Sequence, residues 1–216
     1  MIKATDIEKS YNGEKVLKGI SLEISDGEFV SIMGESGSGK STLLSIIGGF
    51  LDADGGSVCL DGRNIKELGE AELSRLRCTE LGFVFQSFRL IPTLSARDNI
   101  LLPATLGGGL DKAGLAYLDE LALALGIDKL LDKLPSQLSG GQCQRVAIAR
   151  ALVYKPSTVI LDEPTGALDS GMEKRVMELL SGINRELGTT IIQVTHSPKV
   201  AEYGNRIIHL GDGKLI

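Results

Sequence analysis

The stretch "EFVSIMGESGSGKSTLLSIIGGF", residues 28–50, sets an apolar run, a glycine-spaced turn and a second apolar run in direct succession. Within it "GESGSGKST", residues 34–42, fits G-x-x-x-x-G-K-[ST], and its flanks are the ones that pattern requires: an apolar strand ending at Met33 and a helix opening in "LLSIIGGF". Gly34, Gly37 and Gly39 let the backbone curl until its N–H groups face phosphate oxygens, and Glu35, Ser36, Ser38 and Thr42 lie in the same cradle. Lys40 is placed to reach the terminal phosphates and Ser41 to bind Mg²⁺. An α/β phosphate-loop domain that binds a nucleoside triphosphate is the expectation.

Working outward, further short β-rich runs bounded by turn residues lie at 57–62 ("SVCLDG"), 81–86 ("LGFVFQ"), 157–162 ("STVILD"), 189–196 ("TTIIQVTH") and 206–210 ("RIIHL"). Several lack polar alternation, as strands covered on both faces do. Between "STVILD" and "TTIIQVTH", Val176, Leu179, Leu180, Ile183 and Leu187 recur at helical spacing, so strand, helix and strand read as a parallel crossover unit. From about residue 88 to 155 the periodicity is helical instead, and Gly107, Gly108 and Gly109 mark a flexible loop. The expected organisation is a single domain over 1–216, with a core lobe at about 1–87 and 156–216 and an inserted helical lobe at about 88–155.

Charge and composition remove several classes of partner. There are 23 basic against 28 acidic residues, a net charge of −5, and no basic run that would track a nucleic-acid backbone, so nucleic acid is not expected. The longest apolar runs, such as "LLSIIGGFL" at 43–51, fall far below the roughly 18 residues that span a bilayer. The N-terminus carries no leader-like apolar region, and a cytoplasmic location is expected. Cys59, Cys78 and Cys143 lack paired or metal-ligand spacing and are expected to be free thiols.

"STVILDEP" ends an apolar strand in two carboxylates. Asp162 is the expected Mg²⁺ partner through water, and Glu163, one residue nearer the nucleotide, can accept a proton from an attacking water. His196 closes "TTIIQVTH", where it could orient water and γ-phosphate. Gln86, closing "LGFVFQ", can hydrogen-bond a metal-bound water, and Tyr11, before the turn dipeptide Asn12-Gly13, could stack on adenine.

A second anion-suited helix start follows in "LPSQLSGGQCQRVAIARAL", residues 134–152. Ser139 is a good N-cap, Gly140 and Gly141 permit close backbone approach, and Val146, Ile148, Ala149 and Leu152 supply a buried face behind them. A second copy of the chain, related by a two-fold axis, could bring this start onto the γ-phosphate held at Lys40. A Gly-Gly entry turn that serves packing alone is the competing reading.

Phosphate loop, "LSGGQ", "ILDEP", "ALD" and a strand-end His, in this order, resemble the ATP-binding cassette (ABC) ATPases over essentially the whole chain. That resemblance implies a phosphate-loop core of RecA-like type, an antiparallel β subdomain and an inserted helical subdomain. It also implies a head-to-tail homodimer with two ATP molecules in its interface, Ser139, Gly140, Gly141 and Gln142 facing the partner's nucleotide, Asp169 communicating across the interface, and Gln86 and Tyr11 as coupling glutamine and adenine-stacking aromatic. "GFVFQSFRLIPTLSARDNILLP" and "LDEPTGALDS" are similar to the bacterial branch that holds macrolide-export, lipoprotein-release and antimicrobial-peptide-resistance ATPases. The resemblance thus implies a motor on the cytoplasmic face of the membrane, coupled to a permease that is a separate polypeptide or a fused domain. Export or extraction of a lipophilic substrate is the implied work. A soluble ABC ATPase acting on DNA or ribosomes, a mechanotransmission ATPase and a nucleotide sensor are the alternatives. Cys143 departs from the polar residue usual after "LSGGQ" and suggests sensitivity to bulky thiol reagents.

Overall fold

Interrupted alternation shapes the N-terminal part of the chain. In the computed structural model, which describes Met1–Ile216, β1 (Ile2–Tyr11) buries Ile2, Ala4 and Ile7, and β2 (Glu14–Ile24) buries Leu17, Ile20, Leu22 and Ile24. The strands pair antiparallel across Asn12-Gly13, both at positive φ, the combination a tight hairpin turn demands. β3 (Phe29–Met33) is buried along nearly its whole length and leads through the glycine-spaced loop into α1 (Lys40–Ile47). β4 (Gly55–Leu60) and β5 (Arg63–Asn64) complete an antiparallel sheet of order β2-β1-β4-β5.

α2 (Glu70–Thr79) precedes β6 (Leu81–Val84), after which the chain is helical through α3 (Ala96–Leu106), α4 (Lys112–Ala124) and α5 (Gly140–Leu152). It returns to strands in β7 (Thr158–Asp162), α6 (Ser170–Leu187), β8 (Thr190–Val194), α7 (Pro198–Ala201), β9 (Arg206–Gly211) and β10 (Lys214–Leu215). The second sheet has the order β10-β9-β3-β8-β7-β6, parallel throughout except at the β10–β9 edge.

This sheet is the middle layer. On one face Val30, Ile32, Ile160, Ile192 and Val194 join α1 and the antiparallel sheet in one core. On the other, Phe29, Val159, Leu161 and Ile191 join α3, α4, α5 and α6 in a second. Alternate residues of one strand thus feed two cores, and polar alternation is lost for that reason. All phosphate-side loops emerge at the carboxyl ends of β3, β7 and β8.

The sequence expectations shift at several points. "SVCLDG" belongs to the antiparallel sheet and alternates, with Val58 and Leu60 buried. "LGFVFQ" stops being strand at Val84 and "TTIIQVTH" at Val194, so Gln86 and His196 stand beyond their strands, on the loops that follow. Leu187, assigned to the buried stripe of α6, is exposed. Asn184 takes the inner position there, its Nδ2 donating to the Gly27 carbonyl at 2.9 Å and the Thr189 carbonyl at 2.8 Å, while Gly188 ends the helix in the left-handed region.

Candidate active site

The loop 34–39 fits only because it lacks side chains at two contacts. A Cβ on Gly34 would lie 2.0 Å from the Leu210 carbonyl oxygen of β9, and one on Gly39, at φ +98°, 2.7 Å from Leu17 Cδ2 of β2. Gly37, also at positive φ, opens onto free space. α1 starts at Lys40 with no acidic residue in its first turn, so the positive end of its dipole is uncompensated and points into the loop. Lys40 folds back over the loop, its Nζ donating to the carbonyls of Gly34 at 2.9 Å and Glu35 at 2.6 Å. Burial pushes the Lys40 pKa down, opposed by the carboxylates of Glu163 and Asp162. Ser38 is buried with no partner for its hydroxyl.

β7 delivers Asp162 as its last residue, where Ser41 Oγ donates to Asp162 Oδ1 at 3.0 Å. Glu163 follows at φ +51°, a left-handed conformation costing of the order of 1 kcal/mol or more for a non-glycine residue. Its N–H donates to the Val194 carbonyl at 3.1 Å, and its Oε1 lies 3.1 Å from His196 Nε2. Burial holds the Glu163 carboxyl above the ordinary range, with His196 pulling it back and Asp162 pushing it further up. Asp162 is likewise raised, by burial first, against the Ser41 hydrogen bond and the charges of Lys40 and His196.

A folded-state pKa raised above the unfolded value means that the contribution of Asp162 to stability is fully present below the unfolded pKa and lost as pH rises through the folded one. At neutral pH the ligand-free protein therefore carries a destabilising buried charge. Asp162→Asn keeps an acceptor for Ser41 and is expected to raise the thermal midpoint of the nucleotide-free protein at pH 7 by a few degrees, about 1 kcal/mol. Differential scanning calorimetry at pH 7 and pH 4 checks this: the gain should shrink at the lower pH, and an equal gain at both values would rule out the charge as its cause.

Together these elements enclose a cleft of about 240 Å³ that brings Tyr11, Ser36, Gly37, Gly39, Lys40, Ser41, Thr42, Gln86, Asp162, Glu163 and His196 to one place. Val16 of β2 and Val194 also line it and were not read from the sequence. Tyr11 is exposed at the mouth, with Val16 providing an apolar wall. Gly34, Glu35 and Ser38 belong to the loop without lining the cleft.

Ser139, Gly140, Gly141, Gln142 and Asp169 lie outside the cleft. Ser139 caps α5, its Oγ accepting from the Gln142 N–H at 3.3 Å while Gln142 Oε1 accepts from the Ser139 N–H at 2.8 Å, a reciprocal capping box. The two glycines differ. A Cβ on Gly141 would come within 2.9 Å of the Ala167 carbonyl, so packing requires that glycine, whereas one on Gly140 would meet nothing nearer than Phe88 Cζ at 3.9 Å. Asp169 caps α6, accepting from the N–H groups of Gly171 and Met172 at 3.0 Å, and these bonds hold its carboxyl below the usual range. The expected sensitivity at Cys143 needs correction: the side chain is buried, its Sγ lies 3.7 Å from the Pro135 carbonyl, and burial pushes its pKa up, all adverse to attack by a bulky reagent.

The family model described as "ABC transporter" matches residues 17–166. The chain is 42% identical to the bacitracin export ATP-binding protein BceA of Halalkalibacterium halodurans, over 100% of this chain and 87% of that protein. It is 47% identical to the lipoprotein-releasing system ATP-binding protein LolD of Aquifex aeolicus, over 100% and 96%. In structure it is similar, with a TM-score of 0.93 and 42% identity, to the dimeric post-hydrolysis state of the ATP-binding cassette MJ0796 bound to ADP and Pi, covering 100% of this chain and 96% of that one.

Proposed function

The chain belongs to the ABC transporter family as an ATP-binding, ATP-hydrolysing subunit, and from this premise we propose how its own residues carry out the work. The observation that carries the reading is the division of anion-binding groups: one set lines the cleft, while the start of α5 lies outside it. A single copy leaves the second set without a phosphate. Two copies placed head to tail put Ser139 and the amides of Gly140 and Gly141 from each chain over the γ-phosphate in the other's cleft. The room left at Gly140 supports this, because packing within the chain does not require a glycine there.

In each cleft Tyr11 and Val16 cover the base, the loop 34–42 and Lys40 hold the phosphates, and Glu163 takes a proton from a water placed beside His196. The oxygen of that water attacks the γ-phosphorus in line, and the bond to the β–γ bridging oxygen breaks, leaving ADP and phosphate. Burial raises the Glu163 pKa and makes its carboxylate a stronger base than an exposed one. Ser41 and Asp162, already 3.0 Å apart, with Gln86 on the facing loop, are the residues that would hold Mg²⁺, which when bound offsets negative charge on the phosphates.

Closure of two such chains, with the helical lobe at about 88–155 moving on the core at about 1–87 and 156–216, would drive a membrane permease from its cytoplasmic face. No helix here is long and apolar enough to cross a membrane. The relatives named for bacitracin export and lipoprotein release support a lipophilic cargo, exported or extracted. Ser139→Arg, in a Glu163→Gln background that traps ATP, tests the shared site. The double variant should stay monomeric with MgATP in light scattering and, at dilutions where the single variant is also monomeric, bind ATP within about twofold of it. A dimer of unchanged affinity would remove Ser139 from the interface and the head-to-tail reading with it.

A further inference from the structure

The loop that carries Gln86 is clamped to the last turn of α5 and places one ring beside the start of that helix. Arg150, in the last turn, is buried, and it extends both terminal nitrogens of its guanidinium to this loop: Nη1 donates to the Arg89 carbonyl and Nη2 to the Phe88 carbonyl, each at 2.7 Å. Phe88 and Arg89 are consecutive residues at positive φ, +62° and +47°, a conformation that non-glycine residues hold only under constraint. The Phe88 ring meanwhile reaches the other end of α5, its Cζ 3.9 Å from where a Cβ on Gly140 would lie. Downstream, the fully buried Asn99 fixes the loop's exit by exchanging hydrogen bonds with the N–H and carbonyl of Ile91. Gln86 therefore stands on a short tether between the end of β6 and a segment clamped to α5.

We propose that Arg150 is a positioning residue that locks the Gln86 loop to the Ser139-Gly140-Gly141 helix start, so that phosphate sensing in one cleft and phosphate capture in the neighbouring cleft are set by one hydrogen-bonded unit. This rests on the roles proposed above for Gln86 and Ser139. A planar fork holding two adjacent carbonyls is specific to arginine, because an ammonium on a flexible stem cannot reproduce that geometry. When Gln86 is drawn toward the metal and phosphate, the pull passes through Phe88 and Arg89 to α5 along the two hydrogen bonds of Arg150. The loop and the helix start then move together.

The test uses Arg150→Lys, which keeps the charge and loses the fork, with Arg150→Met as a harsher partner and circular dichroism to verify folding. In Arg150→Lys, amide hydrogen exchange should accelerate about tenfold or more at residues 86–91 and stay unchanged at 30–44. Monomer affinity for ATP should hold within about twofold while kcat falls about tenfold. The discriminating readout is a double-mutant cycle: if Arg150 acts through the Gln86 loop, Arg150→Lys adds little to the loss already caused by Gln86→Ala, whereas a general stabilising role gives losses that multiply. Unchanged exchange at 86–91, wild-type kcat in Arg150→Lys, or multiplicative losses would each overturn the proposal. Wild-type turnover in Gln86→Ala alone would instead be a failure of the proposed function at Gln86, and the exchange result would still decide whether Arg150 holds the loop.

Discussion

The Glu163→Gln protein is expected to bind ATP as tightly as the parent, to release phosphate about 10²–10⁴ times more slowly, and to double its mass when MgATP is added. Glutamine preserves the size of the side chain and the backbone N–H bond to Val194 that helps hold the strained φ of +51°, so the cleft keeps its shape. What is lost is the acceptor for the proton of the attacking water and the negative charge facing His196 at 3.1 Å. ATP trapped in the cleft then keeps its γ-phosphate available to the partner's α5, and the closed pair accumulates. Static light scattering with and without MgATP, beside steady-state phosphate release, reads both halves. Parental turnover would exclude Glu163 as the base; slow turnover with a persistent monomer would separate hydrolysis from pairing.

Lys40→Ala should weaken ATP binding by about 100-fold or more. Among the residues lining the cleft Lys40 is the sole Lys or Arg, and charge-assisted hydrogen bonds to phosphate oxygens contribute about 1.5–3 kcal/mol each. In the nucleotide-free protein its ammonium rests on the Gly34 and Glu35 carbonyls, at the cost of burial that depresses its pKa. A triphosphate adds counter-charge to that of the Glu163 and Asp162 carboxylates and offsets the cost of burying the ammonium. Titration calorimetry measures the loss, and an unchanged melting profile without nucleotide would show that the loop still folds. Retention of affinity within about threefold would mean that the backbone amides and the helix dipole alone hold the phosphates.

Glu163 is visible in the sequence because it stands just past an apolar run, and Lys40 because phosphate binding fixes the glycine spacing between the run ending at Met33 and the helix it opens. The walls of the base pocket are less legible. β1 and β2 carry bulges at facing positions, Asp6 at φ +52° and Gly19 at φ +82°, and a Cβ on Gly19 would stand 2.8 Å from Asp6 Oδ1. The bulges stretch the apolar spacing from two residues to three, between Ala4 and Ile7 and between Leu17 and Ile20, which erases the period-two signal and hides Val16 within it. Gln86 lines the cleft from a loop, where the sequence places it at a strand end: the left-handed turn at Phe88 and Arg89 that follows is held by Arg150, far away in sequence. Leu187 illustrates the reverse error: apolar spacing continued past the point where Asn184 had taken over the helix end.

The close approach of Gly34 to Leu210 bears on how the protein is made. β3 and its loop leave the ribosome well before β8 and β9, yet β3 pairs with both, and the loop rests on a carbonyl of β9. During synthesis the nascent phosphate loop therefore lacks its floor until β9 has emerged. A fragment that stops before β9 carries the full phosphate-loop motif without the strand that backs it.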